Sequence, residues 1–296
     1  MQSLWMLVAC AMFALMGAGI KFAAQQDANL AQIILFRGLP SVLVLFCWAR
    51  FTKHRLRPPS WRVHILRNVF GVTSMWLGFF SLTVLSLPTS ISLTYTAPLF
   101  IGVWMLLYGG AQRDWIRVLA VFIGFAGVVA ILRPSVGAGQ ELAAGVAILA
   151  GACSAVAMLQ IRQLGKLGEP EWRTVFLFSS FVCLSSSLGF WNSGWQALTW
   201  QGWLALTGVG LTGLFGQLTM TRAFGAGSTL LTAALQYTTI VFAALLGWLF
   251  WEDLPPSLAW LGIAMIIGSG MLSLWRTYQE GKIIKGHVAQ PARPKA

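Results

Sequence analysis

Arg37 is the residue whose placement asks most insistently for a chemical reason. It lies about seven residues into an apolar run over 30–49, roughly 10 Å along a helix that rises ~1.5 Å per residue. A guanidinium at that depth is costly unless it is paired or faces water. It is therefore either a binding or gating group, or a long side chain reaching back to the interface. Lys21 raises the same question nearer the end of the preceding run, with Asp27 the nearest obvious counter-charge. Tyr95 and Tyr237 each sit well inside an apolar run, where an unpaired hydroxyl is expensive, so each needs a partner or a wet cavity. Gln217, Gln236 and Thr238 add polar groups at similar depth in the second half. Trp76 and Trp104 fall far enough from helix ends to stack on a planar ligand, with packing as the competing reading. Pro98 lacks a backbone donor and marks either a hinge or a static kink. The candidate substrate-binding set is thus Arg37, Trp76, Tyr95, Gln217, Gln236 and Tyr237, with Lys21 and Pro98 as candidate gate and hinge.

The elements that must position these groups are membrane helices. Hydrophobic residues make up 57% of the 296-residue chain and charged residues 9%, with a mean hydropathy of +0.73; soluble domains carry roughly 25% charge. Apolar runs long enough to cross a bilayer, about 20 residues each, follow one another at about 4–24, 30–49, 68–85, 87–107, 118–132, 142–161, 174–190, 203–220, 228–251 and 258–275. The expected class is an all-α polytopic membrane protein with ten transmembrane helices. The turn at Leu87–Pro88 is too short for anything but a hairpin, so the third and fourth helices are antiparallel neighbours.

The run 95–100 recurs at 237–242, a shift of 142. After one extra loop residue, Gly127 falls on Gly270 and Arg133 on Arg276. Two five-helix halves follow: 1–133, a linker at 134–141, and 142–277, with a basic tail at 278–296 expected to be disordered. An odd number of spans starts the second copy from the opposite face, so the halves must be inverted relative to each other, an arrangement that transporters use around a central site.

The net charge of +12 is topogenic. Of the 20 Lys and Arg, 17 fall in alternate loops on one side, from Arg50 through Arg67, Arg113, Arg117, Arg162 to Arg173, Arg222 and the C-terminal residues. Lys21 and Arg133 fall on the other side, and Arg37 within its helix. This bias puts both termini in the cytoplasm and allows attraction to anionic membrane lipid; no nucleic-acid partner is expected. The four cysteines, Cys10, Cys47, Cys153 and Cys183, read as small buried hydrophobes without a disulfide or metal spacing. No P-loop, dinucleotide loop or nucleophile elbow occurs, so neither an enzyme, a catalytic residue, a cofactor nor a metal is expected. Glu252 and Asp253 read as solvated loop carboxylates. Gly124, Gly127, Gly262, Gly268 and Gly270 form small faces suited to close helix contact.

Taken together, Lys21, Phe36-Arg37, Tyr95-Thr96-Ala97-Pro98, Gly124-Phe125-Ala126-Gly127, Tyr237 to Phe242, Trp251-Glu252 and Gly268-Ser269-Gly270 resemble the EamA-type ten-helix transporters of the drug/metabolite transporter superfamily. The resemblance covers about residues 4–275. It implies inverted repeats, a central cavity and alternating access without ATP hydrolysis. Members move amino acids, their derivatives, nucleotide-like metabolites, vitamins or toxic organics, and many export. Two departures stand out: Gly109-Gly110 replaces a common Gly-Glu pair that only the second copy approximates, and Ile240 stands where the first copy has Pro98. The expected function is a secondary transporter in a bacterial-type inner membrane, moving a small organic metabolite, with export of an amino acid or amino-acid derivative as the leading reading. Import of an aromatic, vitamin-like or cationic nucleoside-type metabolite and a non-transporting accessory role are the alternatives. A coupling proton or an exchanged solute would drive it, as a monomer or a homodimer.

Overall fold

A computed structural model describes residues 2–54, 56–58, 60–107, 115–226, 232, 235–253 and 256–288. After a 3-10 turn at Gln2–Leu4, the helices are α1 Trp5–Gln25, α2 Leu30–Phe51, α3 Trp61–Val84, α4 Leu87–Thr94, α5 Ala97–Leu107, α6 Trp115–Ser135, α7 Glu141–Lys166, α8 Glu171–Ser193, α9 Trp200–Ala226, α10 Thr238–Trp251 and α11 Ser257–Val288. The chain is an all-α polytopic membrane protein. Among the described residues, six of the helices are individually long and apolar enough to cross a bilayer: the first three, α7, α8 and α9. Their outward faces carry Leu43, Val44, Phe46, Leu184, Leu188, Phe215 and other exposed apolar side chains, a surface suited to lipid rather than water.

Local chemistry sets the helix starts. Asn29 and Gln32 form a reciprocal capping box on α2, with bonds of 2.9 and 3.1 Å, which satisfies two otherwise orphaned donors. The bundle then pairs α1 with α9, α3 with α7, α2 with α8 and α6 with α11. Glycines permit the close approaches. A Cβ on Gly210 of α9 would meet the Phe36 carbonyl and the Pro40 ring at 2.5 Å, so the backbone of α9 lies directly against the backbone and the proline ring of α2 there.

Three expectations are corrected. The third helix starts at Trp61, seven residues before the anticipated Asn68, which moves Arg62 and Arg67 from a loop into a helix. The fourth span is two helices: α4 ends at Thr94, Tyr95 and Thr96 form a turn, and α5 restarts at Ala97. Pro98 accommodates this break, since it has no N–H to offer the Thr94 carbonyl. The Thr96 hydroxyl caps the Leu93 carbonyl at 2.7 Å, and the Leu99 N–H returns to the Thr96 carbonyl at 2.9 Å. The ninth span has a milder interruption at Tyr237, where the Ile240 N–H donates to the Tyr237 carbonyl at 3.0 Å. The third correction concerns the tail, which is helical to Val288 rather than disordered from 278; the sequence holds no proline there before Pro291. Gly109 and Gly110 lie outside the described residues.

Candidate functional site

A cavity opens in the middle of the bundle and offers ≈ 170 Å³ to the centres of water molecules. Its wall draws on both halves: Phe13, Met16 and Gly17 of α1, Arg37 of α2, a long face of α3, Ile91 and Thr94 of α4, Ser154 to Ile161 of α7, Phe178 of α8, and Gln217 and Met220 of α9. Tyr95 and Gln236 reach it from the two interrupted spans. The α3 contribution is legible as a helical stripe, with Arg67, Gly71, Ser74, Met75 and Gly78 recurring at spacings of three and four.

Two guanidiniums dominate the polar chemistry. Arg37 is 2% exposed and donates through Nη2 to Gln217 Oε1 at 2.9 Å, while its Nη1 has no hydrogen-bond partner among the described residues. Gly213 of α9 makes room for its stem, since a Cβ there would meet Arg37 Cδ at 2.7 Å. Arg67 is also 2% exposed and lies with its guanidinium 3.7 Å from the centroid of the Phe178 ring. Its Nε has no partner among the described residues, and its Nη1 reaches Asn68 only at 3.5 Å. Arg37 approaches the same ring at 5.8 Å. Gln217 Nε2 and Gln236 Oε1 are likewise buried without partners among the described residues.

No Asp or Glu lines the cavity among the described residues. The buried carboxylate of Glu169 lies in the loop between α7 and α8 and pairs with Arg173 Nη1 at 3.3 Å, with His64 Nε2 at the same distance. Burial pushes its carboxyl above the usual range and Arg173 opposes that. Burying a charge without a partner costs several kcal/mol. A cation–π contact returns about 0.5–2 kcal/mol and a hydrogen bond to a charged group about 1.5–3 kcal/mol. The contacts of Arg37 and Arg67 therefore leave a deficit that stability alone does not justify.

The other candidates are distributed elsewhere. Trp76 donates through Nε1 to Ser185 Oγ at 3.0 Å and packs on Gly189, holding α3 to α8 rather than lining the cavity. Trp104 is 48% exposed on the outer face of α5. Tyr237 is 2% exposed and its ring fills the niche at Gly270 of α11, with the hydroxyl unpartnered among the described residues. Pro98 falls in the first turn of α5; its side chain lies outside the described residues. Lys21 reaches Asp253, not Asp27, at 2.6 Å, with its Nζ 4.9 Å from the Trp251 ring, and Trp251 Nε1 donates to Gln25 at 3.0 Å. This cluster ties α1 to the end of α10, so Asp253 is a paired carboxylate rather than a freely solvated one. Sequence reasoning missed Arg67 and Phe178. Arg67 looked like one more loop cation, and only the α3 stripe would have placed it inside. Cys47, expected to be buried, is exposed on the apolar rim of α2.

The EamA-like transporter family model matches twice, over residues 1–133 and 142–275. The pseudopaline exporter CntI of Pseudomonas aeruginosa is 26% identical over 255 residues, covering 86% of this chain and 89% of that one. The riboflavin transporter of Vibrio cholerae is 25% identical over 288 residues, 93% of each chain, and the S-adenosylmethionine uptake transporter of Rickettsia felis is 25% identical over 266 residues, 88% and 87%. A solved crystal structure shares the fold with a TM-score of 0.68 at 16% identity, over 92% of this chain and 95% of its own. The chain belongs to the EamA-like transporter family. It is a secondary transporter of a small molecule across a membrane, with a transport role rather than a catalytic one.

Proposed function

We propose that the chain exports an amino acid or amino-acid derivative across a bacterial-type inner membrane, by alternating access of two inverted five-helix repeats about the central cavity. The observation that carries this reading is the cavity itself, enclosed by helices of both halves, with Arg37, Tyr95, Gln217 and Gln236 in its wall. The helix pairing supports the inverted repeat: α1 on α9 and α3 on α7 exchange when the halves are swapped, while α2 on α8 and α6 on α11 map onto themselves. The likeness to an exporter of pseudopaline supports the outward direction. With both termini cytoplasmic, the Lys21–Asp253 tie lies at the external end, and the ion pair of Glu169 with Arg173 lies at the cytoplasmic end.

Efflux from proteoliposomes holding only this chain tests the function, with a pH gradient or an external counter-solute as the alternative driving forces. A chain that leaves every loaded solute inside would end the proposal. Reporter fusions test the topology: one after Gly194 is expected outside and one after Gly281 inside. A cytoplasmic signal at Gly194 breaks the ten-span arrangement.

A further inference from the structure

Resting on the transport reading above, and narrowing it to acidic derivatives, we infer that the cargo is an organic oxyanion of net negative charge whose charged group docks where Arg37, Arg67 and Phe178 line the cavity. Three observations carry this. Both guanidiniums are 2% exposed, and Arg37 Nη1 and Arg67 Nε have no partner among the described residues. No Asp or Glu lines the cavity among the described residues, and the buried Glu169 is paired with Arg173 at 3.3 Å. The remaining wall is largely apolar, with Met16, Met75 and Met158 among its lining residues. A guanidinium offers its donors in a planar fork that fits the two oxygens of a carboxylate or phosphate. Methionine side chains adapt to an irregular apolar body. The site therefore suits a molecule with an anionic head and an apolar remainder, and it repels a cation of the same size by placing two like charges beside it.

The two arginines divide the work. Arg37 is held at 2.9 Å by Gln217, which leaves its second terminal nitrogen without a partner among the described residues. Arg67 is steadied by the ring beneath it and leaves an edge nitrogen free. A neutral glutamine at either position removes the charge and the guanidinium fork while keeping a polar amide.

The test loads proteoliposomes with a metabolite extract split by ion exchange into anionic, neutral and cationic fractions, and identifies by mass spectrometry what leaves. Efflux is expected from the anionic fraction, at least tenfold above the other two. Pretreating that fraction with phosphatase separates the sources: surviving efflux assigns the head group as carboxylate, and lost efflux assigns it as phosphate ester. Arg37→Gln and Arg67→Gln are each expected to reduce anion efflux at least tenfold while leaving the melting temperature unchanged or higher, because each removes a buried charge that no carboxylate of the cavity wall balances among the described residues. Efflux confined to neutral or cationic compounds overturns the inference and leaves the transport reading standing. So does anion efflux that stays within twofold of the parent in both variants. If nothing leaves from any fraction, the transport reading fails and the inference falls with it.

Discussion

Tyr95 and Tyr237 occupy matching places in the two halves, yet the protein uses them differently. Tyr95 forms the turn between α4 and α5 and remains partly exposed on the cavity wall. Tyr237 interrupts the ninth span less sharply and is 2% exposed, its ring lodged against Gly270 of α11. The residue in the first half that corresponds to Gly270 is Gly127, and it faces α11 at Gly262 and Met265 instead of receiving Tyr95. The freed carbonyls are served alike from within each span: Thr96 caps the Leu93 carbonyl at 2.7 Å and its counterpart Thr238 caps the Leu235 carbonyl at 2.6 Å, where the Cys10 thiol of α1 adds a further contact at 3.3 Å. Repetition thus preserved the backbone interruption while one glycine on a neighbouring helix decided which ring became packing and which stayed with the cavity.

The largest effect that separates the two is expected from truncation. Tyr237→Ala empties a closed niche and should cost about 3 kcal/mol or more of stability, read as a lowered melting temperature in detergent. Tyr95→Ala should cost less stability and more flux. Equal destabilisation by the two would erase the distinction drawn here. Next comes Gly270→Ala, whose methyl would collide with the Tyr237 ring and cost about 1–3 kcal/mol. Adding Tyr237→Ala to it should recover part of that loss in a double-mutant cycle; strict additivity would show that the ring does not need the niche. Removing only the hydroxyl gives a smaller contrast. Tyr237→Phe is expected to be neutral or slightly stabilising, since its oxygen has no partner among the described residues, and Tyr95→Phe should lower efflux with unchanged melting. A reversed pattern would move the cavity contact to the second tyrosine. The smallest effect is expected for Pro98→Ala. The ninth span is interrupted with Ile240 at the matching place, so the first break should persist and melting should shift by less than about 1 kcal/mol in stability terms. A continuous helix through residue 95, seen as changed spin-label distances across it, would make Pro98 the sole cause.

The succession of membrane helices was legible because hydropathy reports burial in lipid directly, and the motif at 95–100 and 237–242 located both interrupted spans. Arg37, Tyr95, Gln217 and Gln236 were found because polar groups inside apolar runs are conspicuous. Arg67 was not, since a basic residue near a helix start is usually topogenic, and the early start of α3 at Trp61 was hidden by its charges. The niche of Tyr237 and the pairing of Lys21 with Asp253 both join residues more than thirty positions apart in the chain. Such contacts depend on how helices meet, which periodicity within one helix does not encode.

The paired guanidiniums also have an electrical meaning. Moving one elementary charge through the whole transmembrane field is worth about 2.3 kcal/mol per 100 mV. Arg37 and Arg67, buried within α2 and α3, place fixed positive charge inside that field. With an anion bound, much of that charge is neutralised; without one, it is not. The loaded and empty forms should then respond differently to voltage, which flux at clamped potassium-diffusion potentials would reveal as a potential-dependent rate for the empty carrier's return. An interior-negative membrane would draw the empty, positively charged form toward the cytoplasmic face, where new cargo waits, so the cell's own voltage would reset the carrier.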